Sequence, residues 1–277
     1  MADAPPSQAE KAGRFDALHL GAEPFIVANA FDAGSARILA GLGFQALATT
    51  SGGFAGTLGR CDGEVTRDEA LEHARAVVDA VDLPVSADLE NGFGHEPEAV
   101  ATTVARAAEA GLVGCTIEDY TGEVDRPFYD REEAADRIAA AAEAARSAGF
   151  RFTLTARSEC FIRGLPDLYE VIARLQAYER AGADVLMAPA LPDIEAVAAV
   201  CGAVSRPVNF MAGIAGKSFP VADLAAAGVR RISLATSLYR AAMSGVVAAA
   251  TEAMEQGTFT YVDGVMSSPE VARYMRR

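Results

Sequence analysis

Four acidic side chains are the first sign of chemistry. VSADLENGFG places Asp88 and Glu90 two residues apart, TIEDYTG supplies Glu118, and GRCDGEV supplies Asp62. In an extended chain, residues two apart share a face. Ser86, Asp88 and Glu90 therefore point one way, as do Thr116 and Glu118, and as do Thr153, Thr155 and Arg157 in TLTAR. Carboxylates gathered on one rim repel each other unless a cation lies among them. An all-oxygen set suits Mg2+ or Mn2+ and not zinc. Magnesium keeps several waters and takes one or two carboxylates directly, which leaves positions for a chelating substrate. The competing reading is a ring of salt bridges with Arg60 and Arg157. Acids at the ends of consecutive strands, joined by Asp62, favour the metal.

Arg157 is a fixed cation with bidentate geometry for a carboxylate, unless Glu159 or the acidic rim itself absorbs it. TSGGFAG, with Ser51, Gly52 and Gly53, reads either as a tight turn or as a nest of amides facing an anion. Asn29 and Asp32 in VANAFD and Asn209 in PVNF belong to the same rim. His95 follows Gly94 close by, whereas His19 and His73 lie in helix-type stretches.

The elements that must position these groups alternate. Short β-type runs occur at 25–30, 44–50, 83–90, 112–118, 150–156, 183–189, 207–212 and 230–236, separated by Ala-rich stretches with apolar residues at helical spacing. Such alternation implies a parallel sheet with helices outside it, and eight units is the number of a (β/α)8 TIM-type barrel, an α/β fold. Gly43, Gly111, Gly149, Gly182 and Gly228 fall where helices should close. Residues 1–277 read as one barrel domain, with an N-terminal helix at about 7–20 and a tail at about 257–277. A doubly wound sheet would need a GxGxxG or Walker sequence, and neither occurs.

With a net charge of −14, a basic groove for nucleic acid is not expected. Four cysteines without a CxxC pair argue against structural zinc and suit a reducing cytoplasm. The opening residues lack an apolar signal core, and no run is long and charge-free enough for a bilayer. Cytoplasmic localisation with no membrane partner is the expectation.

Taken together, ANAFDAGSARILAGLGFQALATTSGG, GRCDGEVTRDE, PVSADLENGFG, TIEDYTG and LTARSE make the chain resemble the isocitrate lyase/phosphoenolpyruvate mutase superfamily over roughly residues 14–256. The resemblance implies a barrel whose C-terminal helix is exchanged between subunits, a homo-oligomer (dimer or tetramer), and Mg2+ at the strand ends. It also implies a small α-oxo or α-hydroxy carboxylate as substrate, passing through an enolate-type state. Asp88 would bind the metal directly, and Glu90, Glu118 and Asp62 would hold its waters. Ser51, Gly52 and Gly53 would bind the substrate carboxylate, Arg157 would bind or polarise the oxo acid, and Asn29 and Asn209 would line the pocket.

The chain departs from that pattern after Glu118. The lyases carry a Lys-Lys-Cys-Gly-His type segment there, and the mutases carry Lys and Asn. Here the loop reads EDYTGEVDRPFYDREEAADR. Arg126 and Tyr129 are its candidate charge or proton donors, in a loop able to act as a lid; Cys61 and Cys160 are further substitute acids. The site therefore predicts an Mg-dependent carbon–carbon lyase of isocitrate, methylisocitrate or oxaloacetate decarboxylase type. The alternatives are a phosphonate-metabolising C–P mutase or hydrolase, and a barrel that binds an oxo acid without turnover. Lysine is nearly absent, which leaves few cations for a transferring phosphoryl group. The apolar run at 237–254 looks too apolar for a lone surface helix, which also favours an oligomer.

Overall fold

Each of the eight apolar runs contains a strand in the computed structural model, which describes residues 4–276. Residues 1–3 and Arg277, which belong to the expected 1–277 domain and 257–277 tail, lie outside the described residues. In chain order the elements are α1 (Gln8–Leu20), β1 (Phe25–Asn29), α2 (Ala33–Gly41), β2 (Ala46–Ala48), α3 (Ser51–Thr57), α4 (Arg67–Ala80), β3 (Val85–Asp88), α5 (Pro97–Glu109), β4 (Gly114–Glu118), α6 (Arg131–Arg146), β5 (Thr153–Arg157), α7 (Leu168–Ala181), β6 (Val185–Met187), α8 (Ile194–Ala203), β7 (Val208–Met211), α9 (Val221–Ala226), β8 (Arg231–Ser233), α10 (Ser237–Gln256) and α11 (Ser268–Met275). All neighbouring strands are parallel, and β1 pairs with β8 to close the barrel.

Local chemistry sets the boundaries. Ser7 and Glu10 form a capping box at α1, and Thr66 and Glu69 form one at α4. Asp32, expected at the rim, instead caps α2 by accepting from Ser35 N at 2.6 Å. Gly182 closes α7 with a φ of +107°, a conformation that side chains with a Cβ rarely adopt. TSGGFAG is neither turn nor nest but helix α3, capped by Thr50.

The outward faces of the strands, including Leu47, Cys115, Ile117, Leu154 and Phe210, pack with the helices into the main core. The inward faces are small and polar. Ala48, Ser86, Thr116 and Ser233 line an open interior where most barrels stack branched apolar residues. From below, α1 stoppers the barrel: Phe15 and His19 stack edge-on with each other and with Phe25, and all three are buried.

The C-terminal region behaves differently. Of the 20 residues of α10 none is buried, and Val246, Val247 and Met254 are 58%, 65% and 85% exposed. The tail is more ordered than a simple extension: a 3-10 turn (Thr260–Gly264) leads to α11, whose Met275 carbonyl accepts from Arg37 Nη1 on α2 at 2.6 Å. No helix among the described residues is long and apolar enough to cross a membrane.

Gly114 tests the register. A Cβ there would sit 2.6 Å from the Thr153 carbonyl oxygen and 3.3 Å from the Phe15 ring. Gly114→Ala should cost about 1–3 kcal/mol in urea denaturation, as overpacking does. An unchanged midpoint would show that β4, β5 and α1 do not meet there.

Candidate active site

At the carboxyl ends of the strands lies a cavity of 760 Å³ whose lining includes Asp62, Asp88, Glu90, Glu118 and Arg157. Asp88 ends β3; its amide donates to Thr49 Oγ1 at 3.1 Å, and its carboxylate accepts from Ser51 Oγ at 3.1 Å. The β4–β5 register sets Glu118 beside Arg157. Arg157 Nη1 lies 3.5 Å from Glu118 and 3.8 Å from Asp88, while its Nε bonds Glu159 at 2.5 Å.

Glu90 is not on a strand, so strand parity does not place it. The chain leaves β3 through a left-handed turn in which Glu90 (φ +50°), Gly92 (+85°) and Phe93 (+58°) all have positive φ. For the two non-glycine residues that is strain of the kind found near functional sites. Arg137 holds the turn by donating to the carbonyls of Asn91, Gly94 and His95.

Three of the rim acids, Glu90, Glu118 and Asp62, are protonated more readily than usual. Burial, then repulsion by Asp88 and Asp62, pushes Glu90 up to about 8. Burial and Glu159 hold Glu118 well above the carboxylate range, and burial and Asp88 raise Asp62. Burial pulls Arg157 down, but Glu159, Glu118 and Asp88 outweigh it and keep it charged. Among the described residues no three acids, histidines or cysteines already converge as a metal cage. The donor set nonetheless fits an ion that takes one or two carboxylates and keeps its waters, because desolvated acids that repel each other gain from a shared cation.

The remaining expected residues divide. Asn29 lines the cavity, donating to the Thr49 carbonyl at 2.8 Å and accepting from Leu234 N at 2.7 Å. Asn209 lines it too, donating to Ser233 Oγ at 3.0 Å. Gly52 lies beside Asp62, close enough that a Cβ would come within 3.2 Å of that carboxylate. Gly53 is buried and its amide already donates to Thr50 Oγ1 at 3.4 Å, so it does not face the cavity.

Arg126 and Tyr129, the candidate charge or proton donors of the loop after β4, do not line the cavity in this conformation. Arg126 is exposed and ion-paired with Glu133 in the first turn of α6. Tyr129 is buried, with its ring 3.9 Å from the Arg137 guanidinium and its hydroxyl 2.9 Å from His95 Nδ1. The loop folds back on itself through a Tyr120–Phe128 bridge. His95 and the exposed Cys61 line the cavity; Cys160 is buried away from it.

The sequence reading missed a support behind the rim. Asp119 points to the helix side of β4, accepting from Glu159 N at 2.7 Å, Tyr178 Oη at 2.6 Å and Arg174 Nη1 at 3.1 Å. It thereby fixes Glu159, which holds both Arg157 and Arg163. The signal was an acid in a position that should face the core, with an arginine inside the apolar stripe of the α7 run. Arg231 was missed as well; its place at the foot of an inward-facing strand was legible.

The phosphoenolpyruvate phosphomutase family profile matches residues 15–254. The chain is 29% identical to the 2-methylisocitrate lyase of Salmonella typhimurium, over 88% of this chain and 85% of that one. A candidate lyase/mutase from Burkholderia cenocepacia J2315 superposes with a TM-score of 0.95 at 48% identity, covering 98% and 97% of the two chains. A phosphonopyruvate hydrolase crystallised with oxalate and Mg2+ superposes at 0.84 with 25% identity, covering 95% and 94%.

The raised acids give a pH signature. Between its ordinary 4.5 and about 8, Glu90 keeps in the folded chain a proton that the unfolded chain has lost. That contribution is complete below 4.5 and disappears as pH rises through 8. The Tm of the metal-free protein should therefore fall across this window. Saturating Mg2+ should flatten or reverse the slope, since binding releases the proton. A metal-free Tm that rises steadily over the window would contradict the rim electrostatics.

Proposed function

The chain belongs to the phosphoenolpyruvate phosphomutase family, and from that premise we propose that it is an Mg2+-dependent carbon–carbon lyase acting on a small α-oxo carboxylic acid or its aldol-type precursor. The supporting observation is the set of raised, mutually repelling carboxylates around Asp88, with Arg157 pinned at their edge.

Asp88, with Glu90, Glu118 and Asp62 through waters, would hold the ion. When bound, Mg2+ supplies Lewis-acid stabilisation of the negative charge that develops on the oxo-acid oxygens. The protein's own residues do the rest. Arg157 keeps its guanidinium at a fixed place through Glu159, so its Nη1 is preorganised toward charge growing on the substrate carbonyl oxygen. Ser51, at the start of α3, offers its hydroxyl beside Asp88 to the substrate carboxylate. Asn29 and Asn209 present amides that their own hydrogen bonds hold in one orientation. In an α-oxo acid that loses its β-carboxylate as CO2, the electron pair of the broken C–C bond stays on the α-oxo fragment as an enolate. In an aldol-type precursor the hydroxyl gives up its proton and becomes the carbonyl of the oxo acid, and the pair leaves on the other fragment as its enolate. Cys61, His95, Tyr120 and the protonated Glu90 are among the proton-bearing groups that face this space without being buried.

Phosphonate chemistry is less well served. A transferring phosphoryl group calls for free cations beside the metal ligands, and the arginines at that level, Arg157 and Arg163, are both tied to Glu159. The unpaired cysteines suit the reducing cytoplasm proposed as the location. We also propose that α10 is exchanged within a dimer or tetramer, which would cover the valines and methionines it now exposes.

Two measurements bear on this. Asp88→Ala should abolish Mg2+ binding in calorimetry and turnover of a panel of oxo acids while leaving the far-UV spectrum intact. Wild-type Mg2+ affinity in the variant would remove the metal assignment, and binding by the wild type without C–C products would leave only a binding role. In sedimentation at micromolar concentration the protein should run as a dimer or larger; a monomer would contradict the exchanged helix.

A further inference from the structure

The cavity does not stop at the rim. Its lining descends through Thr116, Ser86 and Val27 to Arg231, the first residue of β8, which is 3% exposed. Among the described residues no carboxylate pairs with this guanidinium. Its Nε donates to Asn209 Oδ1 at 2.9 Å, Nη2 donates to Thr155 Oγ1 at 2.9 Å, and Nη1 meets His19 Nε2 at 3.5 Å. Five N–H groups thus meet three neutral acceptors. His19 cannot repel it, since burial drives that imidazole's pKa to about 3 and keeps it neutral. Burial also brings Arg231 itself down to about 9, with no acid to hold it up. A charge taken out of water without a partner is costly, and a plug for a barrel interior needs only an apolar side chain.

We propose that Arg231, with Asn209 and Ser233, is an anion-binding subsite at the floor of the cavity that receives the distal carboxylate of the substrate. The inference rests on reading the rim as the oxo-acid site. The metal-chelating end would lie at the level of Arg157. The second carboxylate would lie at the level of Thr155, two residues down β5, a depth of about 6.5 Å. Oxalate is too short to reach both levels, so the subsite selects a longer dicarboxylate lying along the barrel axis. One acid end is matched to the rim and the other to a cation that no protein acid neutralises.

The test compares ligands by calorimetry in the presence of Mg2+. Oxalate binding to the wild type tests the rim alone. The ratio of affinities for 2-oxoglutarate and 2-oxopentanoate, which differ only at the far end, tests the floor. The wild type should prefer the dianion by about ten- to a hundredfold, the range of a hydrogen-bonded charge. Arg231→Met should bring the ratio close to one. Asn209→Asp, which sets an acid against the guanidinium and relieves the buried charge, should do the same in a variant that stays folded. If oxalate does not bind, the rim reading fails. If oxalate binds but the wild-type ratio is near one, or both folded variants keep the preference, the floor subsite is overturned and the rim reading stands.

Discussion

The active-site end of this barrel depends on one ionic arrangement, the Arg157 guanidinium held by Glu159 between Glu118 and Asp88. Without that cation three carboxylates would face each other across a desolvated mouth. Without the acids a buried guanidinium would lack a counter-charge. The arrangement is fixed from behind, because Asp119 ties the Glu159 backbone to Tyr178 and Arg174 on α7. A helix on the outside of the barrel therefore sets the position of a guanidinium on the inside. A buried network of this kind gives geometric definition more than it gives net stability.

Around this centre, strength and weakness are distributed unevenly. The β4–β5 seam pairs over five positions and carries both Glu118 and Arg157. The β3 strand is short and hands Glu90 to a left-handed turn that Arg137, Thr103 and Arg67 hold through its carbonyls. The acid under greatest electrostatic pressure outside the strands thus sits on a strained segment. This suits a group whose charge changes when a cation arrives.

Much of this was legible in the sequence. The eight strands and the inward parity of Asp88, Glu118, Arg157 and Asn209 follow from alternation of apolar and polar residues, because a closed barrel leaves each strand only two faces. What strand parity and motif reading do not give has local causes. Parity could not place Glu90, since the strand ends before it and backbone handedness takes over. Gly53 was assigned to a ligand because glycine runs resemble anion nests, but Thr50 caps them into a helix. Arg126 and Tyr129 lie close to the site in sequence, but Glu133 pairs with the one and His95 with the other, and such pairing is invisible in a linear chain. Arg231 was passed over because an arginine at a strand start usually means an exposed end.

The stopper made by Phe15, His19 and Phe25 has a kinetic consequence. Among the described residues it makes the barrel a blind shaft that opens at the rim of Asp88, Glu90 and Glu118. Whatever lies deepest entered first and must leave last, so two fragments produced inside cannot depart at random. Geometry alone imposes an order of release, the piece nearer the mouth preceding the piece at the floor.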